Sequence, residues 1–396
     1  MLEPADGVPR ITDTPAALAA VIAAFGTGTG PVAVDAERAS GYRYGQRTYL
    51  VQMRREGAGT VLIDPVALPD LSGLSEALVG VEWVLHAASQ DLPGLSEQGL
   101  HPSRVFDTEL AARLLGMERV GLAAVVAETL GLGLAKEHSA VDWSTRPLPL
   151  EWLRYAALDV ELLVPVREVL AERLAEDGKA VWAAQEFEAE RTAPAPPPRP
   201  EAWRRVSGLH AIHDPRRLAV VRALWETRDH NARQRDIAPG RVLPDRAIVA
   251  AAEALPRSVP QLVALPLFAG KGTRRRAALW QAAIDHALAL PDSELPSVRG
   301  PRTDAPPPVR AWTERDPQAA ARLAAARAVV QEVSDTWHTP VENLLQPDLL
   351  RRLCWSPPPT LDDDSVAATL AAGGARPWQI ELLGDRLTAA LRGATG

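Results

Sequence analysis

Hydrophobic residues follow two periods along this chain, and the two periods separate its first half from its second. Short apolar runs such as PVAV (Pro31 to Val34) and WVL (Trp83 to Leu85) have the length and composition of buried strands. The run EWLRYAALDVELLVPVREVL (Glu151 to Leu170) has the helical period, with its apolar residues on one face. Beyond residue 200 the runs are helical, and proline-marked turns join them. The pattern therefore predicts strands and helices in the first half and helices in the second.

Proline-rich stretches predict where the chain divides into domains. A chain of 396 residues is too long for one ordinary hydrophobic core, so two or three domains are expected. The segments TAPAPPPRPE (Thr192 to Glu201) and LPSVRGPRTDAPPPVR (Leu295 to Arg310) are typical of stiff, extended linkers. We therefore predict domains at residues 1–195, 196–303 and 304–396.

One uncharged stretch has the length of a membrane span. It runs from Thr14 to Val34, but GTGTGP interrupts it and leaves a short helix before the glycines and a strand after them. Neither element has membrane length, so no membrane contact is expected. The N-terminal residues lack the pattern of a secretory signal, and Cys354 is the only cysteine, which excludes an intrachain disulfide. Both observations predict a cytoplasmic protein.

Charge is distributed unevenly along the chain. The net charge is −7, and residues 1–200 hold 28 acidic and 17 basic side chains, against 22 and 26 in the rest. An acidic first half suits bound cations, and the arginine-rich second half suits contacts with nucleic-acid phosphates. For clusters such as Arg274 to Arg276, an ordinary solvated surface is an equally good interpretation.

A first pair of acids follows the PVAV run. Asp35 and Glu37 lie two residues apart, so a strand would point both side chains to the same face. Neighbouring carboxylates repel each other unless a cation lies between them, and carboxylate oxygens suit Mg²⁺ or Mn²⁺. The alternative is a solvated strand end, because a D-x-E triplet is common by chance.

A second acid, Asp91, follows the next strand-like run in HAASQDLPGL. At the end of a neighbouring strand it would reach the same edge of the sheet. The alternative is that Asp91 caps the helix that begins near Leu92 and Pro93, a position that favours Asp for local reasons. His86 closes this strand, and a satisfied hydrogen bond is a better interpretation of it than a zinc ligand.

A third motif lies on the predicted helix from Glu151. Tyr155 and Asp159 are four residues apart, one turn of helix, so the phenol and the carboxylate share a face. A hydrogen-bonded surface pair is the alternative when this motif is taken alone.

Together, D-x-E, H-x-x-x-x-D and Y-x-x-x-D resemble the DEDD exonucleases with Tyr in the third motif, and among them the ribonuclease D family. Further segments match blocks of that family in order: LVQM (Leu50 to Met53), LIDP (Leu62 to Pro65), VFDTELAARLLG (Val105 to Gly116) and KEHSAVDWSTRPL (Lys136 to Leu148). The resemblance covers roughly the first 190 residues. Ala36 departs from the Thr that is more usual inside the first motif, but this change leaves the acids in place.

The resemblance implies an α/β ribonuclease H-like 3′–5′ exonuclease domain, with a central mixed sheet flanked by helices. It implies two divalent cations, Mg²⁺ or Mn²⁺, with Asp35 bridging both, Glu37 and Asp159 completing the first site and Asp91 holding the second. Tyr155 would position the attacking water, because a phenol with a pKa near 10 is a poor base at neutral pH. The implied reaction removes 5′-mononucleotides from single-stranded RNA 3′ ends, as in the maturation of tRNA and other stable RNAs.

The second half resembles the HRDC module, a small helical domain found after ribonuclease D and in RecQ-type helicases. The resemblance is carried by Arg235, Asp236 and the run RVLPD (Arg241 to Asp245). It implies an auxiliary surface for nucleic acid or protein. In residues 304–396 the segment VENLLQPDLL stands in the place of this motif, and we predict a second, diverged HRDC-like domain there.

Three functions are open at this stage: an RNA 3′-end exonuclease, a DNA exonuclease of repair or proofreading type, and a catalytically silent nucleic-acid-binding scaffold. The same acids serve RNA and DNA hydrolysis, so their spacing does not distinguish the first two. Gln52, Lys136 and Trp143 lie in the matching blocks without a derived role. Arg146 is a candidate substrate-phosphate ligand, and a salt bridge that fixes its loop is the alternative.

Overall fold

The first half of the chain folds around a mixed six-stranded sheet. A computed structural model describes residues 3–134, 140–195, 197, 199–300 and 304–394. Within them the strands are β1 (Ile11–Thr12), β2 (Thr29–Arg38), β3 (Thr48–Glu56), β4 (Gly59–Ile63), β5 (Glu82–Leu85) and β6 (Arg104–Asp107). Their order across the sheet is β1-β4-β3-β2-β5-β6, with β2, β3 and β4 antiparallel and the other pairs parallel.

Helices cover the sheet, as the sequence predicted for a mixed sheet flanked by helices. They are α1 (Pro15–Thr27), α2 (Ser72–Ala77), α3 (Leu92–Ser96), α4 (Thr108–Leu114), α5 (Leu122–Leu130), α6 (Leu150–Glu161), α7 (Leu163–Glu176) and α8 (Ala180–Arg191). Strand β2 lies in the interior of the sheet between β3 and β5 and is apolar over Val32 to Val34, all fully buried. Its neighbour β5 runs parallel to it, so the carboxyl ends of both strands open at the same edge.

The uncharged stretch from Thr14 to Val34 forms one helix and the start of one strand. Thr14 caps α1 by accepting a hydrogen bond from the Ala17 N–H, and β2 begins at Thr29. None of the helices among the described residues is long and apolar enough to cross a membrane.

The helical run from Glu151 to Leu170 is interrupted in the structure. Helix α6 ends at Glu161 and α7 begins at Leu163, whereas the apolar period predicted one helix. Pro165 explains the break, because its ring has no N–H and clashes with the carbonyl of Glu161 four residues earlier. Tyr155 and Asp159 lie before the break, so their spacing on one helical face is unaffected.

The middle of the chain forms a helical unit with its own hydrophobic core. Its helices are α9 (Pro215–Arg235), α10 (Pro239–Val242), α11 (Asp245–Ala254), α12 (Val259–Ala264), α13 (Lys271–Arg274) and α14 (Ala277–Ala289). The core contains Leu224, Ile248, Phe268 and Trp280, each fully buried.

The last segment is helical and packs directly on the first. Its helices are α15 (Trp312–Arg315), α16 (Pro317–Trp337), α17 (Val341–Leu344), α18 (Pro347–Trp355), α19 (Asp363–Ala372) and α20 (Pro377–Gly393). Trp378 of α20 stacks on Trp182 of α8, with ring centroids 4.5 Å apart, and donates from Nε1 to the Glu186 carboxylate over 2.9 Å. Residue 303, the predicted boundary before the last domain, lies outside the described residues. The limits of the three predicted domains stay predictions.

Candidate active site

Three carboxylates from two elements meet at the edge where β2 ends. Asp35 and Glu37 lie on β2, and Asp159 lies on α6, which packs across β2, β3 and β4. One oxygen from each of the three side chains lies within 4.8 Å of the others. Glu37 and Asp159 are buried, and Asp35 is partly exposed. Residues separated by more than 120 positions in sequence are therefore brought to one point.

Asp91 lines the same cavity from the loop that follows the neighbouring strand β5. It directly precedes α3, as predicted, but its side chain caps no backbone N–H group among the described residues. It instead lies 3.5 Å from the Arg38 guanidinium, measured from Oδ1 to Nη2, and is buried. Helix capping therefore does not explain this acid.

The cavity between these elements has a volume of about 420 Å³, within the range of small-ligand sites. All four acids line it, together with Tyr155, His86, Glu109 and the start of α5 at Leu122. His86 hydrogen-bonds through Nδ1 to the Thr108 hydroxyl over 2.8 Å. The hydroxyl itself bonds to the Leu85 carbonyl. The expected satisfied hydrogen bond of His86 is present.

The four acids have raised pKa values. Burial is the largest cause for each, and the charge of a neighbouring acid adds to it for Glu37, Asp91 and Asp159. Arg38 counteracts the rise at Asp35, Glu37 and Asp91. Buried carboxylates that repel one another are costly to keep together without a compensating charge. A donor set made only of carboxylate oxygens therefore fits a hard divalent cation.

Tyr155 lies beside Asp159 on the cavity side of α6. Burial is the largest cause of its raised pKa, followed by the charge of Asp159, to which its hydroxyl is hydrogen-bonded. Its ring packs against buried Trp143, with ring centroids 6.4 Å apart. The phenol is thus held in its protonated form, as a hydrogen-bond donor at the site.

Gln52 is a site residue whose role the sequence did not show. It lies opposite Asp35 in the antiparallel β2–β3 pairing, and its Nε2 donates to Asp35 Oδ2 over 3.3 Å. Gln52 is fully buried, so this hydrogen bond holds the Asp35 carboxylate in position. The two residues are paired only by the register of the antiparallel strands, and that register cannot be read from a single sequence.

Arg146, the candidate substrate-phosphate ligand, makes the contacts of the alternative interpretation. Its Nε and Nη2 each donate to the Asp64 carboxylate over 2.8 Å. The remaining donors reach the backbone carbonyls of Tyr49, Trp143 and Thr145. A guanidinium has five N–H groups, and all five are used here. The salt bridge that fixes the loop is therefore the better interpretation of Arg146. Lys136, from the same sequence block, lies outside the described residues.

Family models match the three parts of the chain. A model described as 3′–5′ exonuclease matches residues 9–175, the HRDC domain model matches residues 217–284, and one described as 3′ to 5′ exonuclease C-terminal domain matches residues 305–391. The HRDC prediction for the middle segment is confirmed. For the last segment the match is to a model with a different description, and a second HRDC-like domain stays a prediction.

Named relatives and solved structures match over most of the chain. Ribonuclease D of Pseudomonas paraeruginosa is 32% identical over 346 residues, which cover 86% of both chains. Ribonuclease D of Cronobacter turicensis is 29% identical over 370 residues, which cover 91% of this chain and 94% of the relative. Escherichia coli RNase D, described as an exoribonuclease involved in structured RNA processing, superposes with a TM-score of 0.69 at 25% identity, covering 97% of this chain and 98% of that one. A protein from Bifidobacterium adolescentis superposes with a TM-score of 0.91 at 39% identity, covering 99% of each chain.

Proposed function

Because this chain belongs to the ribonuclease D family of 3′–5′ exoribonucleases, we propose that it shortens RNA 3′ ends with two divalent cations, Mg²⁺ or Mn²⁺. The observation that supports this most strongly is the convergence of Asp35, Glu37 and Asp159 within 4.8 Å, with Asp91 on the same cavity. We propose 5′-mononucleotides as the products and single-stranded 3′ ends, including those of tRNA precursors, as the substrates.

The four acids have distinct places in this proposal. Asp35 would be shared by both cations, Glu37 and Asp159 would hold the first, and Asp91 would hold the second. Bound divalent cations would supply a more acidic water and stabilise the charge that develops on the phosphate and on the leaving oxygen. The raised pKa values of the acids mean that protons compete with cations for these oxygens.

The protein's other side chains orient this centre. Gln52 fixes Asp35 from behind, and Arg38 offsets part of the negative charge beside Asp91. The Tyr155 hydroxyl donates its one proton to Asp159, so its oxygen would orient the attacking water by accepting a hydrogen bond from it. Removal of one 3′-terminal residue at a time is the unit of cleavage that the family resemblance implies.

The substrate is proposed from the family and from charge. The relatives are named for ribonuclease activity, and E. coli RNase D is described as acting in structured RNA processing. The middle segment, residues 201–290, holds 15 basic and 8 acidic residues, a balance that favours contact with a polyanion. We place this activity in the cytoplasm, where precursors of stable RNA occur.

The first experiment compares two substrates with two proteins. Purified wild-type chain and Asp35→Asn receive the same oligonucleotide sequence, labelled near its 5′ end, as single-stranded RNA and as DNA, with Mg²⁺, Mn²⁺ or EDTA. We expect stepwise, metal-dependent shortening of RNA by the wild type, and loss of roughly 1,000-fold or more of the rate in Asp35→Asn.

The other outcomes assign the chain differently. Equal or preferred shortening of DNA would favour the repair or proofreading function. Unchanged RNA and DNA, together with no binding of Mn²⁺, would favour a silent scaffold. A rate in Asp35→Asn equal to the wild-type rate would remove Asp35 from the proposed metal centre.

A further inference from the structure

The loop that presents Asp91 has an unusual backbone. Residues 86–91 connect β5 to α3, and Ala87 adopts a left-handed conformation with φ +60° and ψ +53°. This conformation is unfavourable for a residue with a Cβ, by about 1 kcal/mol or more. Surrounding contacts must therefore hold the loop in the shape that directs Asp91 into the cavity.

Asp107, at the end of β6, supplies the first of these contacts. Its carboxylate accepts from the Ala87 N–H over 3.0 Å and from the Ala88 N–H over 2.7 Å. The same carboxylate caps α4 by accepting from the N–H groups of Glu109 and Leu110. Asp107 is only 1% exposed, so it ties the loop to the sheet and to α4 in a dry environment.

Glu190, in the last turn of α8, supplies the next contact. Its Oε1 accepts from the Ser89 N–H over 3.0 Å. Its Oε2 is buried and receives no donor from the residues that the structure describes, and the adjoining carboxyl group is that of Asp107. Together the two acids hold three successive N–H groups of the loop, while Arg38 of β2 binds the Gln90 carbonyl and pairs with Asp91.

We propose that Glu190 is a positioning residue for the reaction: by binding the Ser89 N–H beside the Asp107 carboxylate, it fixes the loop from which Asp91 reaches the cation. This inference rests on the proposed two-cation function. It adds a residue from outside the acid motifs, in the last turn of a helix whose earlier turns contact the last segment through Trp182 and Glu186.

The chemistry of the two acids specifies how Glu190 binds. Burial, followed by the charge of Asp107, raises the pKa of Glu190 to about 8, which favours a protonated carboxyl group beside Asp107. In that form the group can accept from the Ser89 N–H and offer its proton to the Asp107 carboxylate. The Gln side chain has the same two capacities, which makes Glu190→Gln a conservative replacement and Glu190→Ala a deletion.

The test compares Glu190→Ala, Glu190→Gln and the control Glu188→Ala, each in the full-length chain. Glu188 is exposed on the same helix and pairs with Arg191, away from the loop. Four quantities are measured: kcat and KM on single-stranded RNA, Mn²⁺ affinity without substrate by calorimetry, exchange of the amides at residues 87–91, and the free energy of unfolding.

We expect Glu190→Ala to lower kcat roughly 10-fold and to weaken Mn²⁺ binding at the weaker of two sites by a similar factor, with KM within about twofold. Its amides at 87–91 should exchange faster. Glu190→Gln should restore all of these quantities to within about twofold of the wild type, and Glu188→Ala should leave them unchanged.

Two results would overturn the inference. One is a Glu190→Ala protein with wild-type kcat, Mn²⁺ affinity and loop exchange. The other is a Glu190→Gln protein as impaired as Glu190→Ala, which would show that the two-sided hydrogen bonding is not what matters. A wild-type chain that neither binds Mn²⁺ nor shortens RNA would instead reject the proposed function on which the inference rests.

Discussion

At the scale of single residues, the arrangement of Tyr155 and Asp159 follows directly from helix geometry. Their spacing of four places the hydroxyl and the carboxylate on one face of α6, where they form a hydrogen bond. Burial then raises the pKa of Tyr155, with Asp159 adding to the rise, so the phenol keeps its proton and shares it in the hydrogen bond to Asp159. A phenol in this state fits the proposed orienting role better than that of a base.

Tyr155→Phe should remove that donor and little else. We expect kcat to fall by roughly 100-fold, with Mn²⁺ affinity and KM each within about threefold of the wild type, because the ring packing against Trp143 is retained. The measurement is steady-state hydrolysis of single-stranded RNA together with calorimetric metal binding.

Tyr42→Phe is the matched control, since it deletes a phenol whose hydroxyl contacts the Ala140 carbonyl outside the cavity. It should keep the wild-type rate. Hydrolysis by Tyr155→Phe at the wild-type rate would show that the attacking water is oriented by another group.

At the scale of elements, the loop before α6 is fastened to the sheet by one ion pair. Arg146 joins this loop to Asp64 after β4 and to the Tyr49 carbonyl on β3. Helix α6 follows within a few residues and carries Tyr155 and Asp159. The pair thus anchors the chain just before the helix that carries these two residues.

Arg146→Ala should act mainly on stability. Removing the partly exposed Arg146 guanidinium is expected to lower the free energy of unfolding by about 2 kcal/mol, because the buried Asp64 carboxylate loses two hydrogen bonds and its counter-charge. Urea unfolding at pH 7 measures this loss. A stable Arg146→Ala protein with KM raised 10-fold would restore the substrate-phosphate interpretation.

The same pair predicts a dependence on pH. Burial by itself raises the pKa of Asp64, but hydrogen bonds from Arg146 and the Val66 N–H outweigh it and lower the pKa below its ordinary value. The folded state therefore binds this proton less readily than the unfolded chain does. The stabilisation is complete above the unfolded pKa, near 4, and is lost as the pH falls through the lower folded pKa.

Comparison with Asp64→Asn checks the sign. The difference in unfolding free energy between wild type and Asp64→Asn should be largest at pH 6 to 7 and should shrink below about pH 4. A difference that grew on acidification would contradict the assigned direction.

At the scale of the whole molecule, the HRDC segment contacts the loop that follows β2. The Tyr44 hydroxyl donates to Asp229 on α9 over 2.9 Å and accepts from Arg233. Two further hydrogen bonds join the same surfaces, one from the Ala238 N–H to the Tyr42 carbonyl and one from Arg241 Nε to the Gly41 carbonyl. The auxiliary segment is therefore fixed close to the end of β2, which carries Asp35 and Glu37.

Tyr44→Phe should loosen this contact while keeping the ring in place. Loss of the hydroxyl bonds, worth about 1 kcal/mol, should speed amide exchange at Ala238 roughly fivefold, whereas Tyr42→Phe should leave it unchanged. Hydrogen exchange followed by mass spectrometry measures both. An unchanged rate in Tyr44→Phe would show that the backbone contacts suffice.

The sequence by itself determined what depends on near neighbours and on ordered motifs. Helical and strand periods placed β2, α3 and α6 around their acids, and the order of the three motifs identified the family. The helix break at Leu162 was also present in the sequence, as Pro165, although the apolar period alone concealed it.

Only the tertiary structure decided which distant residues meet. The hydrogen bond between Gln52 and Asp35 depends on strand register. The ion pair of Arg146 joins it to Asp64, 82 residues away, and the contact of Glu190 with Ser89 spans 101 residues. The physical reason is that periodicity records which face of an element is buried, whereas contacts between elements depend on sheet order and packing. The motifs thus identified the candidate acids and Tyr155, and tertiary packing determined which other residues hold them in position.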